Sequence, residues 1–300
     1  MVADRRPPNA LLIGAPRCAS SSLAIAMSQH PSVFLCTPKE PHFLAMHGRA
    51  KEICGLGREG FSTSNQLSQE RWLDLFAGRT ERYLLDASVS TISYPDTAIP
   101  NIERFCDQDT RLVVILRNPV DRAFSSYQYC VSKGWDGGSF EDSLVQEEAR
   151  IAENWQHLWF LKHLSQYEVT LAPFLDAFGQ DRVHVVITEE MAADPARVMR
   201  GVFSFLDLPA VEAASVPRIN ASGAPRSRIV RGLVSYARQR PMIRHTLRAI
   251  ASDAVREKFR GGNTEKAEMA SETRARLSCD LSATKPWVEQ LIGRPLDVWT

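Results

Sequence analysis

The sequence predicts an α/β fold, a central and mostly parallel sheet flanked by helices, from three observations. Short β-branched runs alternate with stretches of helical periodicity along the chain. The run Leu112-Val113-Val114-Ile115-Leu116 is continuous and apolar, as a strand buried on both faces must be. Helix-starting residues follow the apolar runs directly: Ser20, Ser21 and Ser22 after one, Pro119 after another.

In order, Ala10 to Ala15 reads as a buried strand, and a turn follows at Pro16-Arg17-Cys18-Ala19. A helix is predicted from Ser20 to about His30, where Leu23, Ala26, Met27 and His30 recur at helical spacing and Pro31 stops it. Val33 to Cys36 is a second strand, Arg71 to Phe76 a helix, and Tyr83 to Asp86 a third strand. The strongest strand, 112–116, leads through Pro119 into a helix reaching Tyr129. Residues 140–178 read mostly as helices broken near Pro173. Val183 to Ile187 is the last strand, and Asp194-Pro195 opens a helix ending at Leu206. With no repeat, low-complexity tract or linker, 1–300 reads as one domain, residues 1–9 being expected to be disordered.

The chain has 300 residues, 44% hydrophobic and 24% charged, with a net charge of +1, which argues against a nucleic-acid coat protein. Of its 36 basic residues 29 are Arg, a planar and permanently charged fork suited to phosphate and sulfate. No run approaches the roughly 18 apolar residues of a membrane span, and Ala10 to Ile13 is too short for a signal-peptide core. The six cysteines are dispersed with no C-x-x-C pair, so reduced thiols, a cytoplasmic location and no metal site are expected.

A strand entering a tight turn and then a helix presents unpaired amides and the positive end of a helix dipole to an anion. Gly14-Ala15-Pro16-Arg17-Cys18-Ala19-Ser20-Ser21-Ser22-Leu23 has that layout and resembles a Walker A loop, except that Ala19-Ser20-Ser21 replaces the final Gly-Lys-Ser/Thr. The Lys that would reach the outer phosphates of ATP is missing, which disfavours a nucleotide kinase. The run more closely resembles the 5′-phosphosulfate loop of sulfotransferases that use 3′-phosphoadenosine 5′-phosphosulfate (PAPS), roughly Gly-x-Pro-Lys/Arg-x-Gly-Thr-Thr-Ser-Leu. Gly14, Pro16, Arg17, Ser22 and Leu23 match, the hydroxyls of Ser20 and Ser21 replace those of Thr, and Ala19 puts a Cβ where Gly is usual.

The run Arg117-Asn118-Pro119-Val120-Asp121-Arg122-Ala123-Phe124-Ser125-Ser126-Tyr127 follows the strongest strand, where open α/β sheets bind ligands. It resembles the same family's 3′-phosphate motif, Arg-x-Pro-x-x-Arg-x-x-Ser-x-Tyr, at every one of those positions. The resemblance implies a P-loop-NTPase-like fold, PAPS as sulfuryl donor with no metal, and Arg117 and Ser125 as holders of its 3′-phosphate. It also implies a cofactor loop of Arg17, Cys18, Ala19, Ser20, Ser21 and Ser22, and a further cofactor contact at Arg226 within Asn220-x-Ser222-x-x-Pro225-Arg226-Ser227. Asp194-Pro195 with Phe203-x-Phe205-Leu206, and Leu291-Ile292-Gly293-Arg294-Pro295 with Trp299, resemble its later segments. The likeness therefore covers about residues 10–299 and is nearest to the bacterial and heparan-sulfate-type branch.

Sulfuryl transfer needs a cation near the leaving phosphate and a base near the acceptor hydroxyl. Arg17 stands at the family's Lys/Arg position and, never giving up its proton, acts electrostatically. Thr37-Pro38-Lys39-Glu40-Pro41-His42-Phe43-Leu44 resembles the branch's Lys-Glu-x-His-Phe-Phe segment, which carries the role of base to Glu40, with His42 as the alternative. Both could face the site only in an extended loop. Asp86-Ala87-Ser88 departs from the family's acceptor segment, and Trp135, Trp155, His157 and Trp159 read as core.

Between Arg218 and Arg248 lie eight Arg and no acidic residue, a composition that suits a nucleic-acid or membrane-surface helix or a lid over a polyanionic nucleotide; the resemblance at Arg226 implies the lid, over 218–262. Asp136 to Glu153 holds six acidic residues and one Arg and reads as a solvated helix face. The expected activity is PAPS-dependent transfer to a hydroxyl of a glycan or small-molecule acceptor, with no nucleic-acid partner. The rivals are a P-loop nucleotide kinase and an inactive protein of the same fold that binds PAPS or its product.

Overall fold

The computed structural model describes residues 5–49, 52–61, 68–135, 138–211 and 268–299, and the backbone of 224–225 and 264–265. Five parallel strands form one sheet: β1 (Ala10–Gly14), β2 (Val33–Leu35), β3 (Tyr83–Asp86), β4 (Arg111–Leu116) and β5 (Val183–Ile187). Their order is β2-β3-β1-β4-β5. Every residue of β1 and all but the first of β4 are buried, which is why their sequences are continuously apolar rather than alternating.

The chain leaves β1 through α1 (Ser20–Met27) toward β2, and reaches β4 and β5 in the other direction through α4 (Pro95–Phe105) and α9 (Ala172–Phe178). Right-handed crossovers running in opposite directions put their helices on opposite faces. Accordingly α4 packs against α9, and α1 packs against α11 (Pro195–Phe205). Between β1 and β4 the connections diverge, opening a crevice at the strands' carboxyl ends. A register shift between Leu12 and Gly14 frees the end of β1 to turn into that crevice.

Among the described residues the remaining α-helices are α2 (Phe43–Met46), α3 (Gln69–Asp74), α5 (Pro119–Ser132), α6 (Phe140–Val145), α7 (Glu147–Ala152), α8 (Tyr167–Thr170), α10 (Thr188–Ala193), α12 (Ser271–Asp280) and α13 (Thr284–Ile292). Several expectations change. Helix α1 stops at Met27, three residues before His30. The helical stretch does break near Pro173, at Leu171 between α8 and α9, and Pro173 itself lies in the first turn of α9, which needs no amide from it. Residues 5–9 run beside β3: Asn9 donates to the Arg82 carbonyl at 2.9 Å and accepts from the Leu84 amide at 2.8 Å, while Arg6 donates to the Glu81 carbonyl. The acidic stretch is not wholly solvated, because Glu147 is buried and accepts from the amides of Lys162 and His163.

Candidate active site

The loop after β1 turns through two left-handed residues, Arg17 at φ 72° and Ala19 at φ 62°. Such residues are the material of anion-binding backbone nests. Ala19 stands at the N-cap of α1 but has no side chain to cap it. The Ser22 and Leu23 amides both reach the Ala19 carbonyl, whereas those of Ser20 and Ser21 have no acceptor within their own helix. Gly14 is required by packing: a Cβ there would meet Cγ2 of Ile92 at 2.4 Å. Cys18 turns its thiol inward, 3.8 Å from the Pro16 carbonyl and 3.9 Å from the Tyr167 hydroxyl. Burial pushes that thiol up to about 11, so only the backbone of Cys18 is suited to a ligand.

Across the crevice, β4 ends at Leu116 and Arg117 begins the second loop. Asn118 caps α5, its side chain accepting from the Val120 and Asp121 amides. Ser125 is buried on α5, and Tyr129, one turn further, shares its helix face. The Arg17 guanidinium lies 4.4 Å from the centre of the Tyr129 ring. Burial lowers the Arg17 pKa, Tyr129 opposes that, and the neighbouring charge of Arg117 lowers it further. The first loop, the second loop and the Ser125 face of α5 therefore converge, with two cations close enough to repel. An anion between them relieves that repulsion.

The loop holding Glu40 and His42 rests on the end of β3. Lys39 Nζ sits 2.8 Å from Glu40 Oε1. Both Glu40 (φ 67°) and His42 (φ 57°) are left-handed, so the loop is not the extended one that joint action of the two would require. The His42 amide donates to Ser88 Oγ at 3.0 Å, and the Ser88 hydroxyl donates to Asp86 Oδ1 at 2.6 Å. Asp86 also accepts from the Trp72 indole at 2.9 Å, which satisfies a carboxylate whose pKa burial raises. The His42 ring meets Ser90 Oγ at 2.8 Å, and burial lowers its pKa, leaving it neutral near pH 7. Asp86 and Ser88, set aside as acceptor contacts, thus brace the loop.

Arg226, like the rest of 218–262 apart from the 224–225 backbone, lies outside the described residues. Trp159 and His157 are fully buried, as core residues. Tyr129, Tyr167 and Ser90 build the site yet carry no local signal, because each acts on a loop distant in sequence. Among the described residues no group of three His, Cys, Asp or Glu side chains could hold a metal ion, and no helix is long and apolar enough to cross a membrane.

A profile of the sulfotransferase family matches residues 8–212, two thirds of the chain and both anion loops. The chain belongs to the sulfotransferase family. Carbohydrate sulfotransferase 15 of Rattus norvegicus is 24% identical over 251 residues, covering 67% of this chain and 44% of that protein. Heparan sulfate glucosamine 3-O-sulfotransferase 3A1 of Mus musculus is 28% identical over 210 residues, covering 68% and 47%. The chain thus spans less than half the length of these curated relatives. The crystal structure of a sulfotransferase from Alicyclobacillus acidocaldarius superposes at a TM-score of 0.74 with 27% identity, covering 98% of both chains. This chain and the Alicyclobacillus protein share the P-loop-like arrangement of a parallel sheet flanked by helices.

Proposed function

We propose that this sulfotransferase moves a sulfuryl group from PAPS to a hydroxyl of a carbohydrate or specialised metabolite and releases adenosine 3′,5′-bisphosphate. The observation that carries this reading is the convergence of two arginine-bearing loops at the carboxyl ends of the adjacent strands β1 and β4. The residues present fit such a donor. Arg17 and the first turn of α1 would hold the 5′ end, and Arg117 and the buried Ser125 hydroxyl the 3′-phosphate. The relatives' names, which specify carbohydrate and heparan sulfate glucosamine, support a sugar hydroxyl as acceptor.

When bound, PAPS supplies the activated sulfuryl group and a phosphate that leaves as the new S–O bond forms. Arg17 neutralises the charge growing on that phosphate by electrostatics and hydrogen bonding alone. Glu40 accepts the proton of the acceptor hydroxyl, and the Ser88–Asp86 brace fixes the backbone that carries it. His42, tied to Ser90 and neutral, orders the loop.

Thermal-shift titration should show greater protection by adenosine 3′,5′-bisphosphate than by ATP; the reverse order indicates a nucleotide kinase. In a labelled-sulfate transfer assay Glu40→Gln should abolish turnover while leaving bisphosphate affinity within about twofold. Full activity in that variant would overturn the assignment of the base. A parent protein that binds the bisphosphate without any transfer indicates an inactive binder. Arg117→Ala should weaken bisphosphate binding by about 2 kcal/mol, the loss expected of one charge-assisted contact.

A further inference from the structure

Tyr167 on α8 is fully buried and lies 50 residues from the second anion loop and 149 from the first. Its hydroxyl donates to the Arg117 carbonyl at 2.8 Å and accepts from the Arg117 amide at 3.2 Å. Arg117 has just left the β4 ladder, so this one phenol holds both of its main-chain polar groups. The same oxygen lies 3.9 Å from the thiol of Cys18, whose carbonyl accepts from Thr188 Oγ1 at 2.9 Å. Burial keeps the phenol protonated and excludes the water that could replace its bonds.

A second tie runs alongside the first. Glu189 accepts from the Asn118 amide through one carboxylate oxygen and from the Trp299 indole through the other, each at 2.9 Å. The Trp299 ring lies 6.1 Å from that of Tyr167. The root of the Arg117 side chain is thereby fixed by residues that belong to neither motif. A long side chain can read a phosphate selectively only if its backbone is held before the ligand arrives.

We propose that Tyr167 is a positioning residue that joins the Arg117 loop to the Arg17 loop, so that the two ends of the nucleotide are recognised as one unit. The proposal rests on the reading of Arg117 and Ser125 as the 3′-phosphate site. Binding at either loop then strengthens binding at the other, as any coupling between two sites must be reciprocal.

Calorimetric titration with adenosine 3′,5′-bisphosphate and with adenosine 5′-phosphate tests the two ideas separately. In the parent protein the bisphosphate should bind more tightly; equal affinities overturn the 3′-phosphate reading itself. In Tyr167→Phe, which keeps the ring and removes the hydroxyl with both of its bonds to Arg117, the preference for the bisphosphate should fall about tenfold. An unchanged preference in a folded variant, even one with a lower melting temperature, overturns the coupling role. Hydrogen exchange of the parent protein gives the same test without a substitution. Relative to adenosine, adenosine 3′-phosphate should slow exchange across residues 14–22 as well as 117–125. Protection confined to 117–125 overturns the proposal.

Discussion

Ala19 occupies a backbone position that asks for glycine. Its φ of 62° brings Cβ close to the following carbonyl, at a cost of about 1–2 kcal/mol for an L-residue, and glycine escapes that cost. Part of the gain from Ala19→Gly would be offset, since the methyl packs partly buried against the core and glycine has more entropy to lose on folding. The net expectation is a stabilisation of about 1 kcal/mol, read from the urea midpoint, together with bisphosphate binding no weaker than in the parent. A lower midpoint would mean that the loop has adapted to its Cβ. The motif pattern made the departure at Ala19 visible in the sequence. The left-handed turns at Arg17, Glu40 and His42 were not visible, because nothing in those side chains marks them and the packing around each loop imposes them.

Elements were legible in proportion to how much apolar surface they bury. Tyr83–Asp86 and Val183–Ile187 coincide with the strands read from sequence, since β-branched or leucine-rich runs admit few alternatives. Helix α4 went unread although Ala98, Ile102 and Phe105 recur at helical spacing, because Pro95 and Pro100 punctuate that stretch as breakers would. Helix α12 was missed because it buries only Thr273 and Leu277, too narrow a stripe to show a period. Helix α5 was legible from Pro119, and Asn118 proves to be its cap, so the residue beside Arg117 also fixes where the helix begins. Asn118→Ala should cost about 1 kcal/mol through the two amides it uncaps. Asn118→Asp, which retains an acceptor for both amides, should recover most of that loss. Equal losses in the two variants would show that the cap contributes little and that the Glu189 bond to the Asn118 backbone sets the start of α5.

Over the whole molecule, the +1 net charge conceals a local imbalance: Arg17 and Arg117 meet at the crevice where the sheet connections diverge. How many histidines the fold keeps neutral was not legible from local patterns, because burial decides it. Burial lowers the pKa of His42, His157, His163 and His184, four of the seven in the chain, and brings His184 to about 4. His184 lies on β5 with its ring stacked on Phe205 at 5.1 Å. Because its folded pKa is below the unfolded value near 6.5, the unfolded chain binds more protons between those limits. Stability is therefore fully present above about pH 6.5 and is lost as the pH falls toward 4. At pH 5 the interval is about 1.5 units, so His184 alone should cost roughly 2 kcal/mol relative to pH 7. Asp86 and Glu147 work in the opposite sense, since burial raises their pKa and protonation at low pH relieves them. A comparison of variants isolates the histidine from those carboxylates. Urea unfolding at pH 7 and pH 5 should show a loss of stability in the parent that is smaller by roughly 2 kcal/mol in His184→Gln. The same loss in both proteins would mean that the ring of His184 takes up its proton in the folded state as readily as in the unfolded chain.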